Sequence, residues 1–241
     1  MNKLQHICIL LITMTFSCKN QDKTKDISIP TSQKEVKQKV KNNCGCETDS
    51  LKTENTINCD TTILRNNSKI YYQFNCDSIW LTLENIKGDK IVIYREKDNF
   101  DDFYAIQWRL AYRLKKEYDN YLLFRSDCPA NGPCNFVLID KKTGQLKKEL
   151  GELIYDKEKP FTYDFVLYFS KTGKSIIADF IDKNKQIRIP IDRTHFSAII
   201  PEYNFDRISY DKGIITLTYY YGDNKNAKLK TITVDAKKYS H

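Results

Sequence analysis

The sequence predicts an all-β domain, an antiparallel meander of short strands braced by disulfides. From Thr61 onward, short runs of β-branched and aromatic residues recur about every 8–12 residues, a spacing typical of all-β folds. Gly, Asn and Asp residues separate these runs, and turns this short join antiparallel neighbours. Beyond residue 40 the chain also carries six cysteines, an even number that fits disulfide pairing outside the cytosol.

The positions of the predicted turns set the bounds of the individual strands. The segment 108–115 alternates apolar and polar residues, which favours a strand. Ile106, Leu110 and Leu114 also recur every fourth residue, which leaves a helix as the alternative there. The predicted strands are 61–65, 69–75, 78–84, 90–95, 108–115, 121–126, 135–140, 145–150, 164–170, 174–181, 185–191, 206–210, 214–221 and 228–234.

One short sequence motif recurs between predicted strands. A strand, Lys-Thr-Gly and a second strand occur at 135–150 and at 164–181, and a looser form with Asp-Lys-Gly occurs at 206–221. These hairpins resemble those of bladed or repeat β proteins, and the resemblance implies propeller-like repeats. A β-sandwich accounts for the same strand pattern, so both architectures stay open.

The cysteines divide into two groups by spacing. Cys128 and Cys134 flank the turn sequence Pro-Ala-Asn-Gly-Pro, so we expect them to pair with each other. The other four are Cys44, Cys46, Cys59 and Cys76. Only Gly45 separates the first two, and a bond between them would be strained, so we expect each to reach one of the other two. These four could instead bind zinc, but their spacing is not that of paired C-x2-C motifs and no His lies nearby, so we expect no metal.

The first residues predict export. Lys3 precedes an apolar run of ten residues, Ile7 to Phe16, whereas a membrane-spanning helix needs about 20. A basic start, a short apolar run and the small residue Ser17 are typical of a cleaved signal peptide over residues 1–17.

The residues around the expected cleavage point, Phe16-Ser17-Cys18, resemble the lipobox of bacterial lipoproteins, in the loose form found in Bacteroidota. Thr15 and Phe16 stand where the commoner box has Leu and a small residue. The resemblance implies that Cys18 is lipidated, with palmitate-type acyl chains, and anchors the protein to the membrane. Lys19, the next residue, favours the outer membrane by the same resemblance and leaves open whether the protein is periplasmic or surface-exposed.

Two further segments follow the signal peptide. Residues 18–57 comprise the lipidated Cys and a polar stretch rich in Lys, Asn, Gln and Thr, which predicts a flexible tether. Residues 58–241 form a single β domain. Part of this domain, from Asn58-Cys59-Asp60-Thr61 to the Cys128–Cys134 loop, resembles uncharacterised lipoproteins of Bacteroidota, a resemblance that implies no particular activity.

Charge and histidine content bear on the kind of partner and chemistry. The formal net charge is +8, but it is spread along the chain, and an exported protein is not expected to bind nucleic acid. Beyond the signal peptide only His195 and His241 remain, and most acid–base and nucleophilic sites depend on His. We therefore expect a protein that is not an enzyme and has no cofactor.

The leading hypothesis is an envelope lipoprotein that binds a protein or a polysaccharide, with an immunity or inhibitor role as one specific form. The tyrosines at 71–72 and 219–221 must place rings on both faces of their sheets, so some are candidates for ligand contact. One alternative is an envelope hydrolase that uses carboxylates of Asp101, Asp102, Glu149 and Glu152. Another is an accessory subunit of an outer-membrane complex.

Overall fold

The computed structural model describes residues 59–74, 78–97, 111–222 and 226–239, and the structural statements below concern these residues. They form four antiparallel sheets, which we name sheets A to D in chain order. The only helical segments in these ranges are single 3-10 turns, none of them long or apolar enough to cross a membrane. These turns are Ile181–Lys183, Arg193–His195, Pro201–Asn204 and Ala236–Tyr239.

Each sheet is a meander in which the strands follow chain order and pair antiparallel with the next strand. The predicted all-β antiparallel class is therefore confirmed. Sheet A contains β1 (Thr62–Ile63), β2 (Lys69–Phe74), β3 (Ile79–Glu84) and β4 (Lys90–Glu96); sheet B contains β5 (Arg113–Glu117), β6 (Tyr121–Ser126), β7 (Asn135–Asp140) and β8 (Leu146–Gly151). Sheet C contains β9 (Phe165–Phe169), β10 (Ile176–Phe180) and β11 (Lys185–Ile189); sheet D contains β12 (Phe205–Asp211), β13 (Ile214–Tyr221) and β14 (Lys228–Asp235).

Three hydrophobic clusters join the sheets in order, A to B, B to C and C to D. Strand β7 shows how this arises, because alternate side chains of a strand point to opposite faces. Val137 and Ile139 pack in the cluster with sheet A, whereas Phe136 and Leu138 pack in the cluster with sheet C. Sheets B and C are thus apolar on both faces, and neighbouring sheets pack face to face as in a β-sandwich.

The segment with two alternative predictions is a strand where the structure describes it. Strand β5 begins at Arg113, later than the predicted start, and the described residues from Ala111 to Glu117 contain no helix. The pairing of β5 with β6 shifts register between Leu114 and Lys116, which is a β-bulge at Lys115. Residues 98–110, including Trp108 and Leu110 of the predicted strand, lie outside the described residues.

The repeated Lys-Thr-Gly motif forms similar hairpin turns, but these turns do not occupy equivalent positions in their sheets. At 142–144 it joins the third and fourth strands of sheet B, whereas at 171–173 it joins the first two strands of sheet C. The looser Asp-Lys-Gly form at 211–213 joins the first two strands of sheet D. Gly144, Gly173 and Gly213 all have positive φ, the conformation for which such turns select glycine.

The predicted disulfide between Cys128 and Cys134 is confirmed, and it closes the loop between β6 and β7. Cys59 is also disulfide-bonded. Cys44, Cys46 and Cys76 lie outside the described residues, so their pairing stays a prediction. The signal peptide (1–17), Cys18 and the predicted tether up to residue 57 also lie outside them.

Candidate functional site

A concavity with a volume of about 670 Å³ lies between turns of sheets A and B. We call it the turn groove. Four hairpin turns form it, those between β1 and β2, β3 and β4, β5 and β6, and β7 and β8. Its lining residues are Asn66, Ser68, Asn85, Ile86, Lys87, Asp89, Asp119, Asn120, Tyr121, Asp140, Lys141 and Lys142.

Side chains that bond to their own turns hold the walls of the groove in place. Asn85 Oδ1 accepts the backbone N–H groups of Lys87 and Asp89, at 2.8 and 3.0 Å. Asp140 Oδ1 accepts those of Lys142 and Thr143, at 2.9 and 2.8 Å. Asn and Asp favour turns for this reason, since the side chain replaces a backbone acceptor. The turn residues are therefore ordered before any ligand arrives.

The environment of Asp140 also sets its charge. Burial raises the pKa of this carboxyl, but the hydrogen bonds from Thr143 and Lys142 outweigh burial and hold the pKa below its ordinary value. Asp140 is therefore ionised at neutral pH and contributes negative charge to the groove.

Lys141, one of the lining residues, forms a largely buried ion pair with Glu117. Lys141 is 8 % exposed, and its Nζ lies 2.6 Å from Glu117 Oε1. The Glu117 carboxylate also accepts the backbone N–H of Arg65, at 3.0 and 3.1 Å to its two oxygens. Since Arg65 belongs to the first turn of sheet A and Glu117 ends β5, these bonds fix the two sheets relative to each other at the groove.

Several groups of the groove remain available to a ligand. The side chains of Lys87, Lys142 and Asn120 make no hydrogen bond or ion pair within the described part of the chain. Ile86 is 72 % exposed at the tip of the β3–β4 turn. The groove thus combines free cations and an amide with carboxylates and one projecting apolar side chain.

A second concavity, of about 300 Å³, lies between sheets A and B beside β1, β2 and β5. We call it the inter-sheet pocket. Tyr112 stands in its wall, with its ring centroid 4.7 Å from that of Tyr94 and 5.6 Å from that of Phe124. The Tyr72 hydroxyl donates to the Tyr112 carbonyl at 2.7 Å. Its lining residues are Asp60, Thr62, Ile70, Tyr71, Tyr72, Leu81, Tyr112, Arg113, Leu114 and Phe124.

Burial raises the pKa values of Tyr72 and Tyr112 above the ordinary value for a phenol. Both hydroxyls are therefore neutral at physiological pH and remain hydrogen-bond donors.

A polar cluster centred on Asp179 lies between sheets B and C. Asp179 Oδ2 accepts bonds from Lys148 (2.6 Å), Tyr168 (3.0 Å) and Gln186 (2.9 Å). Burial lowers the pKa of Lys148, but its bonds to Asp179 and Tyr168 prevail and raise the pKa above the ordinary value. Because Lys148 belongs to sheet B while Tyr168, Asp179 and Gln186 belong to sheet C, this cluster links the two sheets.

Of the carboxylates considered for hydrolysis, the structure describes Glu149 and Glu152. Glu152 forms an ion pair with Arg193 at 2.8 Å, and Glu149 is exposed on β8. Neither lines the turn groove or the inter-sheet pocket. Asp101 and Asp102 lie outside the described residues.

The remaining candidates from the sequence occupy separate positions. His195 ends the 3-10 turn after β11, whereas His241 lies outside the described ranges. The Tyr71 hydroxyl donates to Glu84 and the Tyr220 hydroxyl to Asp206. Within the described ranges, no group of three His, Cys, Asp or Glu residues is arranged to hold a metal ion.

Sequence reasoning did not identify the turn groove as a site. Asn66, Asn85 and Asp140 carry a local signal for turns, but that signal does not tell which turns meet in space. Comparison with protein-family models and with curated proteins gave no match to this chain. A proposal about function therefore rests on the geometry of the groove.

Proposed function

We propose that this protein is a non-catalytic envelope lipoprotein, anchored through Cys18 to the outer membrane, whose β domain binds a partner protein at the turn groove. The observation that carries this proposal is the composition of the groove. It places the exposed Ile86 beside the free lysines Lys87 and Lys142, on turns that their own Asn and Asp side chains hold rigid. An apolar anchor within a polar rim is the usual arrangement of a protein–protein contact.

Charges of both signs favour a protein over a uniformly charged polymer. Asp89, Asp119 and Asp140 line the same groove as Lys87 and Lys142. A mixed pattern of this kind selects one orientation of a partner with the complementary pattern. Preformed turns also lower the entropy lost on binding. An inhibitor-like role and a role as an accessory subunit would both use such a surface.

The test compares wild-type protein with Ile86→Asp in affinity capture from solubilised envelopes, followed by mass spectrometry and titration of the captured protein. Loss of an apolar anchor at an interface costs about 2 kcal/mol, so we expect the affinity to fall roughly 30-fold. The matched control is Ile199→Asp, because Ile199 is 76 % exposed but lies outside the groove, between β11 and β12.

We expect the control variant to capture the same protein as wild type. A partner that binds wild type and Ile86→Asp equally well would contradict the proposal, as would the recovery of polysaccharide instead of protein.

A further inference from the structure

No hydrophobic cluster of the described residues covers one face of sheet D, which we call the outer face. Ile215, Leu217 and Tyr219 of β13 pack in the cluster shared with sheet C, and alternate side chains of a strand point to opposite sides. The residues between these three therefore project outward, together with their partners on β14. The outward pairs are Thr216 opposite Thr233, Thr218 opposite Thr231, and Tyr220 opposite Leu229.

The four threonines form an uncharged block on this face. The hydroxyls of Thr218 and Thr231 lie 3.1 Å apart and share a hydrogen bond. The pair of Thr216 and Thr233 lies two residues away along the same strands, at a distance of about 7 Å. Each hydroxyl can both donate and accept hydrogen bonds. The block therefore suits a ligand that itself carries many hydroxyl groups.

Tyr220 and Leu229 form an apolar end beside the threonine block. They are 41 % and 57 % exposed. The Tyr220 hydroxyl donates to Asp206 Oδ1 on β12 at 3.2 Å, so its side chain reaches across to the neighbouring strand and is held there. The Asp206 charge raises the pKa of Tyr220, so the hydroxyl keeps its proton and this bond at physiological pH. An ordered, exposed ring of this kind can stack on the C–H face of a sugar.

The charges near the outer face do not favour an anionic polymer. Lys228 and Lys230 of β14 point to the other side of the sheet, where Lys230 Nζ lies 4.4 Å from the ring centroid of Tyr221. Arg207 on β12 has Asp206 as its neighbour in the chain. A protein partner is also less suited to this face, because threonine and serine seldom dominate the energy of protein–protein contacts.

We propose that the outer face of sheet D binds a neutral polysaccharide with an extended chain, one sugar ring stacking on Tyr220 and the hydroxyls of adjoining units bonding to the threonine block. An open sheet face accepts a chain that lies along it, which favours an extended β-linked glucan over a coiled α-linked one. Leu229 adds apolar contact beside the stacked ring. This site lies on a different sheet from the turn groove and does not depend on the function proposed for that groove.

The experiment measures binding of cellotetraose, an extended β-linked chain, to the full-length acylated protein by isothermal titration calorimetry in a detergent without a sugar headgroup. Maltotetraose, which has the same glucose units and length but α-linkages, is the comparison ligand. We expect cellotetraose to bind about tenfold more tightly, with an affinity that does not change as salt is added, because the ligand is neutral. We expect Tyr220→Ser to weaken this binding roughly tenfold.

Two further variants separate the site from general effects. The double variant Thr218→Val/Thr231→Val removes two hydroxyls but keeps β-branched side chains, and we expect it to weaken binding about fivefold. The matched control is Tyr71→Ser, because the Tyr71 hydroxyl also donates to a carboxylate, that of Glu84 at 2.7 Å, but belongs to β2 of sheet A. This control should bind cellotetraose like wild type.

The proposal is overturned if wild type binds neither sugar, if both sugars bind equally well, or if either outer-face variant binds cellotetraose like wild type. Sedimentation provides a further check. A dimer that Tyr220→Ser dissociates would assign the outer face to a second copy of this chain instead of a polysaccharide.

Discussion

Asp179 shows how a single polar residue is accommodated between two packed sheets. Its side chain is 8 % exposed, and one oxygen accepts three bonds, from Lys148, Tyr168 and Gln186. A buried carboxylate is costly unless it is paired and hydrogen-bonded. Lys148 supplies the opposite charge from sheet B, so this one contact ties β8 to sheet C.

At this residue scale, we predict that Lys148→Met destabilises the domain by about 2 kcal/mol, because it leaves the Asp179 charge without its counter-ion. Urea unfolding followed by circular dichroism measures this change. The double variant Lys148→Met/Asp179→Leu should recover most of the loss, since it removes both charges together. A double variant less stable than the single one would contradict this account.

The pH dependence of the same pair follows from the direction of the Lys148 pKa. Because the folded-state pKa is raised, the stabilisation is complete below the unfolded value, about 10.4, and is lost as pH rises through the raised pKa. The stability difference between wild type and Lys148→Met should therefore be constant up to about pH 10 and shrink above it.

Turns are the elements on which the groove depends, and the β7–β8 turn packs closely against sheet A. A Cβ added at Gly144 would lie 2.6 Å from Ile91 Cγ2 and 2.9 Å from Ile93 Cγ2 of β4. Gly144 also has a φ of +66°. This position thus needs glycine both for its backbone conformation and for the contact of sheet B with sheet A.

At the element scale, we predict that Gly144→Ala destabilises the domain by about 3 kcal/mol, the sum of left-handed strain and overpacking. The control is Gly88→Ala in the β3–β4 turn, where φ is +86° but no atom lies within 4 Å of the added Cβ. We expect that variant to lose only the strain part, about 1 kcal/mol. Equal losses in thermal or urea unfolding would show that the contact with β4 does not matter.

On the scale of the whole molecule, polar contacts accompany the apolar clusters between successive sheets. Arg65 bonds to Glu117 from sheet A to sheet B, and Asp182, in the turn after β10, accepts the backbone N–H of Asp119 at 3.0 Å. The Tyr163 hydroxyl donates to the carbonyl of Ile208 on β12 at 3.1 Å. The hairpin turns that form the groove are thus held by the stack as a whole.

Attachment of the whole molecule to the membrane is proposed to depend on Cys18. We expect wild-type protein expressed in a bacterium with lipoprotein processing to incorporate a palmitate analogue and to fractionate with the outer membrane. Cys18→Ser should lose both properties, because two or more acyl chains on that residue are the expected source of stable attachment. Cys8→Ser, within the proposed signal peptide, is the matched control and should keep them. Equal labelling of wild type and Cys18→Ser would refute the anchor.

Most strand positions could be predicted from local signals, because side-chain alternation and turn residues are read from neighbouring positions in the chain. The predicted bounds 121–126, 135–140 and 214–221 coincide with β6, β7 and β13. The Cys128–Cys134 bond could also be predicted, since the two residues flank one short turn. Strand β5 begins at Arg113, inside the predicted segment 108–115, and the alternation of that segment does not reveal the bulge at Lys115.

Which faces and turns meet could not be predicted from the sequence and depends on how the sheets pack. The propeller-like and the β-sandwich architectures would use the same strands. The order in which the sheets stack follows from the burial of both faces of sheets B and C. The turn groove joins Asn66 to Asp140, and the opposition of Arg113 to Arg125 depends on strand register. Such contacts depend on packing between segments distant in the chain, which local residue patterns do not encode.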